Sequence, residues 1–98
     1  METYVILRRN GWRTTDDVQI AARRSLEAAG QMAEEVGWIR SYVLAERDGS
    51  LGTVCVYEAS SPEAVRRHAA EAGLPADEIV KVADTVVGRL DPAAAEES

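Results

Sequence analysis

Six side chains in this sequence have the chemistry to recognise or transform a ligand: Arg8, Arg40, Tyr42, Cys55, Tyr57 and His68. His68 is the single histidine and Cys55 the single cysteine. With an ordinary pKa of about 6.5, the imidazole is the group best suited to exchange protons at neutral pH. It lies three residues after Val65 and four before Ala72, within the apolar stripe of a helix, and is expected to face the sheet or its edge. There it serves either as a core histidine bonded to a backbone or carboxylate group, or as a ligand or acid–base group. Cys55 sits between Val54 and Val56 in mid-strand, with no helix N-terminus to activate it, and reads as a small buried hydrophobe. A Cys–His nucleophile pair stays open if Cys55 faces the helix that carries His68. Arg8, Arg40, Tyr42 and Tyr57 form a second group. If the first strand presents Tyr4, Ile6 and Arg8 on the face that holds Trp38, Arg40 and Tyr42, two guanidinium groups and the phenols border an apolar floor. Such a pocket suits a planar or carboxylate-bearing small molecule, because arginine holds a carboxylate through two parallel hydrogen bonds. The plainer alternative pairs Arg40 with Glu58, and Arg8 with an acidic neighbour across the sheet.

Metal chemistry is poorly supplied. One histidine, one cysteine and carboxylates at Glu2, Glu46, Glu58 and Asp84 do not compose a closed tetrahedral site in one chain. No metal ligand and no resident cofactor is assigned from the residues themselves.

The elements that must position these groups can be read in order. Glu2 to Arg9 is a run of β-formers ended by Asn10-Gly11, a strand followed by a turn. Thr14 and Thr15 offer N-caps, with Asp16 and Asp17 in the first turn. Val18, Ala22, Ser25, Ala29, Met32, Ala33 and Val36 then recur at helical spacing opposite Arg23, Arg24, Glu27, Gln31 and Glu34, predicting an amphipathic helix ended by Gly37. Trp38 to Glu46 reads as the second strand, Asp48-Gly49-Ser50 as the turn, and Gly52 to Ala59 as the third strand. Ser61 caps a second helix with Pro62 at its first position; Gly73 stops it after Ala72, and Pro75 forbids continuation. Ala76 to Glu78 form a turn before a fourth strand from Ile79 to Val87.

The order β-α-β-β-α-β predicts an α+β, ferredoxin-like fold: a four-stranded antiparallel sheet with two helices on one face. Residues 1–90 make one domain and residues 91–98 a flexible tail with no apolar face to bury. A sheet wet on one side should alternate apolar with polar residues. Here Trp38, Tyr42 and Leu44 share one face while Ile39, Val43 and Ala45 share the other, and Val54 and Val56 oppose Cys55 and Tyr57. The uncovered face therefore needs a cover, and a second copy packed sheet to sheet about a twofold axis is the simplest, giving a homodimeric α/β barrel.

Composition narrows the partners. The 98 residues carry a net charge of −6 and no basic run, which repels a phosphate backbone and excludes nucleic acid. No apolar stretch approaches the roughly 20 residues that span a bilayer. Met1 leads directly into a strand rather than a secretory signal, and a single cysteine forms no internal disulfide. A cytoplasmic protein is expected, with no membrane association.

The segments WIRSYV, CVYEASSPEAVRRHAAEAGLPADEI and VADTVV resemble the small bacterial nickel-responsive-protein-like family, grouped with the dimeric α/β-barrel proteins. The resemblance runs from Tyr4 to about Pro92, with Trp-x-x-Ser-Tyr-Val and Cys-Val-Tyr-Glu-Ala its most specific pieces. It implies a ferredoxin-like fold, a dimer and, for at least one member, nickel binding; it implies no reaction. Relatives are expected to carry histidine where this chain has Arg40, and arginine is not a metal ligand. The leading expectation is a homodimer that binds a small ligand or metal in an interior cleft. The alternatives are a cofactor-independent monooxygenase, isomerase or cyclase using Arg40, Tyr42, Tyr57 and His68, or a protein-interaction module.

Overall fold

A computed structural model describes residues 1–75 and 78–89. The elements follow in the expected order: β1 (Glu2–Trp12), α1 (Thr15–Gln31), β2 (Val36–Ala45), β3 (Leu51–Ala59), α2 (Pro62–Ala72) and β4 (Glu78–Lys81). They form one antiparallel sheet in the order β2-β3-β1-β4. The ferredoxin-like fold expected from the sequence is the fold observed. Tyr4, Ile6, Cys55, Tyr57 and Ala59 are buried between the sheet and the helices, with Ala64 and Val65 of α2 packed among them.

Both helices start where their caps demand. The Thr14 hydroxyl accepts from the Asp17 N–H at 3.2 Å, and the Ser61 hydroxyl accepts from Ala64 N–H at 3.2 Å. Gly73 adopts a left-handed conformation (φ 67°), and the Leu74 N–H closes on the Ala69 carbonyl at 2.8 Å. This hydrogen-bonded stop turns the chain so that Leu74 and Pro75 run back over the end of β1.

Three expected boundaries differ. The first helix stops at Gln31 rather than at Gly37, because the N–H groups of Glu35 and Val36 both turn back to the Met32 carbonyl, at 2.8 and 2.9 Å. Val36 is buried in the sheet, and Gly37 is a strand residue facing Glu58, where an added Cβ would lie 3.2 Å from Glu58 Cγ. The first strand does not end at Asn10-Gly11. Asn10 takes a left-handed φ of 54°, its N–H goes to the Glu46 carboxylate at 2.8 Å, and pairing with β3 resumes at Trp12. The fourth strand is short: β4 pairs with β1 only over Glu78–Lys81, and Val86 and Val87 beyond it are exposed. Residues 76 and 77 of the expected turn and the tail at 91–98 lie outside the described residues. Among the described residues, no helix is long and apolar enough to cross a membrane.

Candidate functional site

A register shift in β2 decides which candidate residues meet. Trp38 pairs with Tyr57, but Arg40, not Ile39, pairs with Val56; the extra residue is a β-bulge. Beyond it, the alternation is reversed. Trp38, Ser41 and Val43 share the helix-covered face with Cys55 and Tyr57, whereas Arg40 and Tyr42 share the opposite face with Val54 and Val56. The expected grouping of Trp38 with Tyr42 and Leu44 is thereby corrected, and Arg8 and Arg40 stand on opposite faces. The bulge also lets Trp38 Nε1–H donate to the Ser41 hydroxyl at 2.8 Å on the covered face.

On that face a small cleft opens between α1 and the sheet, with about 50 Å³ of free volume. Arg8, Thr53, Cys55 and Tyr57 are among the residues that line it, with Trp12 and Trp38, and the surface facing the free space is almost wholly apolar. Arg8 is only 1% exposed although its side chain ends in a guanidinium cation. Its Nε–H donates to the Pro75 carbonyl, delivered by the turn after α2, and Nη1–H donates to Cys55 Sγ at 3.3 Å. Nη2 has no partner. Thr53, directly opposite Arg8 across β1 and β3, is 4% exposed, and its hydroxyl also lacks a partner. Among the described residues no carboxylate pairs with Arg8.

Two features hold Arg8 at this position. Glu46 accepts from both Nε and Nη2 of Arg9, at 3.0 and 2.8 Å, as well as from Asn10 N–H, clamping the irregular part of β1 to the hairpin. The Arg9 hydrogen bonds, followed by that of the Asn10 N–H, hold the Glu46 carboxyl below its usual range. Gly52 lies under the Arg8 backbone, where an added Cβ would fall 2.7 Å from the Arg8 carbonyl oxygen.

His68 lies behind the cleft rather than in its lining. Its Nε2 is 2.9 Å from the Ser25 carbonyl, which can only accept, so Nε2 carries the proton. Burial pushes the imidazole below its ordinary value, the Ser25 carbonyl opposes that shift, and the positive charge of Arg8 reinforces it. The neutral ring therefore presents an unprotonated Nδ1, which is buried and unpartnered. It packs on Tyr57 with ring centroids 5.0 Å apart, and the Tyr57 hydroxyl bonds Ser25 Oγ at 2.8 Å. Burial raises the Tyr57 pKa, keeping the phenol protonated; the Ser25 hydrogen bond pulls the other way. The cysteine faces the helices, but its hydrogen-bond partner is Arg8 rather than His68.

Of the six candidates, Arg8, Cys55 and Tyr57 meet at the cleft, His68 supports Tyr57 through Ser25, and Arg40 and Tyr42 lie on the other face. Thr53, Trp12 and Ser25 were not singled out for a site. Ser25 carried a signal, a hydroxyl within an apolar helical stripe; Thr53 carried none until the strand register set it against Arg8.

The architecture defines a ferredoxin-like α+β protein with an interior cleft beneath its first helix. The chain belongs to the nickel responsive protein SCO4226-like family, whose model matches residues 4–82. It is similar to the crystal structure of SCO4226 from Streptomyces coelicolor A3(2), with a TM-score of 0.69 and 27% identity over 86% of this chain and 99% of that one. Among curated proteins there is no match. The family expected from the sequence segments is the family found.

Proposed function

We propose that this protein is a homodimer that binds a small organic molecule in the cleft between α1 and the sheet. The observation that carries the reading is the pair of buried donors without a partner among the described residues, Arg8 Nη2 and Thr53 Oγ1, on two residues that line an apolar cavity. Leaving such groups dry and unpaired costs more than a well-packed apolar core would, so their retention fits a recognition site.

The family name ties its members to nickel. Among the described residues, however, no three of His, Cys, Asp and Glu cluster closely enough to hold a metal ion. The Arg8 guanidinium also sits on Cys55 Sγ, where its charge repels a dication. The donor set of the described residues does not fit a nickel centre, so the ligand is read as organic.

Trp12 and Trp38 line the cleft and report its occupancy. A library of charged and neutral small organic molecules, screened against tag-free protein by tryptophan fluorescence, is expected to contain saturable binders that compete with one another. Nickel in the same assay is expected to give no saturable change. A library without a single saturable binder, or tight one-to-one nickel binding by calorimetry, would sink the reading.

A further inference from the structure

We infer that the ligand is a small monocarboxylate with an apolar body, its two carboxylate oxygens held by Arg8 Nη2–H and the Thr53 hydroxyl. This rests on the proposal of an organic ligand in the cleft and names its chemical class.

Charge makes the first selection. Among the described residues, Arg8 is the one charged residue that lines the cleft, and it is positive. Its two occupied donors go to a backbone carbonyl and a weakly accepting sulfur, so no anion among the described residues neutralises the cation. A buried charge in apolar surroundings is relieved chiefly by an anion. A cationic ligand is repelled, and a neutral one leaves the charge as it stands.

Geometry makes the second. Arg8 and Thr53 are cross-strand partners on the covered face, so their free donors come from adjacent strands. One donor from each of two paired residues can meet one oxygen of a carboxylate. A phosphate group would bring further oxygens into a wall of Trp, Val and Ala side chains that has few donors left to offer.

Size makes the third. At about 10–15 Å³ of such volume for each water, the 50 Å³ of free space takes a carboxylate with a short carbon chain. Trp12 and Trp38 are among its lining residues, and a longer or flat apolar body would pack against them.

The test is calorimetry on the intact protein with sodium butyrate and sodium benzoate, against butyramide, butylamine, chloride and inorganic phosphate. The carboxylates are expected to bind at least about tenfold more tightly than the amide, the amine or either inorganic anion. Thr53→Val, which keeps the side-chain shape and removes the hydroxyl, is expected to weaken butyrate about tenfold, and Arg8→Met to abolish measurable binding. Equal affinity for butyrate and butyramide overturns the inference, as does an inorganic anion binding as well as butyrate, or Thr53→Val leaving butyrate unaffected. If Arg8→Met does not fold, the amide control and Thr53→Val still decide the matter. Fluorescence binders that are all neutral would leave the cleft a ligand site while removing the carboxylate; a library with no binders would remove both.

Discussion

The buried residues divide the labour between a charge that is kept and one that is suppressed. Arg8 carries a guanidinium cation into the core; burial, reinforced by that charge, holds the His68 imidazole below its ordinary value. This makes stability depend on pH in a stated direction. The unfolded chain binds a proton as pH falls through about 6.5, while the folded state refuses it until the depressed native value is reached, so acid favours unfolding across that interval. Because His68 is the only histidine, the melting temperature is expected to fall between about pH 7.5 and about pH 5.5, above the range of ordinary carboxylates. His68→Gln should flatten that slope whatever its effect on the absolute melting temperature. A slope that survives the substitution would assign the effect to another group. Placement of His68 toward the sheet was legible from its spacing to Val65 and Ala72; its role was not, because its partner is a backbone carbonyl on a helix forty-three positions away.

At the level of elements, glycine positions test the account most sharply, since three of them carry different physical loads. Gly52 is a close approach, where a methyl group would meet the Arg8 carbonyl at 2.7 Å. Gly73 is a left-handed helix stop with φ 67°, and Gly30 is an exposed helical residue with open space around it. Alanine at Gly52 is expected to cost about 1–3 kcal/mol by overpacking, and at Gly73 about 1 kcal/mol or somewhat more from the positive φ. At Gly30 it should stabilise by about 0.5–1 kcal/mol. Urea unfolding of the three variants checks the order, and Gly52→Ala proving neutral would show that β1 and β3 are not tightly apposed there. Caps, the Gly73 stop and the hairpin turn were all legible locally, because each is a short-range bond between a side chain or turn residue and its own backbone. The bulge in β2 and the left-handed step at Asn10 were not. Each is settled by a partner strand or carboxylate distant in sequence, namely the β3 register and Glu46.

For the whole molecule, the uncovered face of the sheet is the dominant feature. Val5, Leu7, Val54 and Val56 are half-buried there with no helix among the described residues above them, beside Tyr42 and Val80, which are 44% and 46% exposed. Val86 and Val87, in the chain after β4, are exposed as well. A second copy packed on this face would cover it about a twofold axis. Light scattering at micromolar concentration is expected to give twice the chain mass, and Val56→Glu to give a folded monomer; a monomeric parent protein would rule the homodimer out. The order of elements, the capped helices and the two-sided apolar strands were determined by the sequence alone, since periodicity and capping act over a few residues. Which side chains share a face and line one cleft was decided only by the tertiary structure. A single inserted residue in β2 reverses every side chain after it, separating Arg40 and Tyr42 from Arg8 and leaving Thr53 as the partner that completes the site.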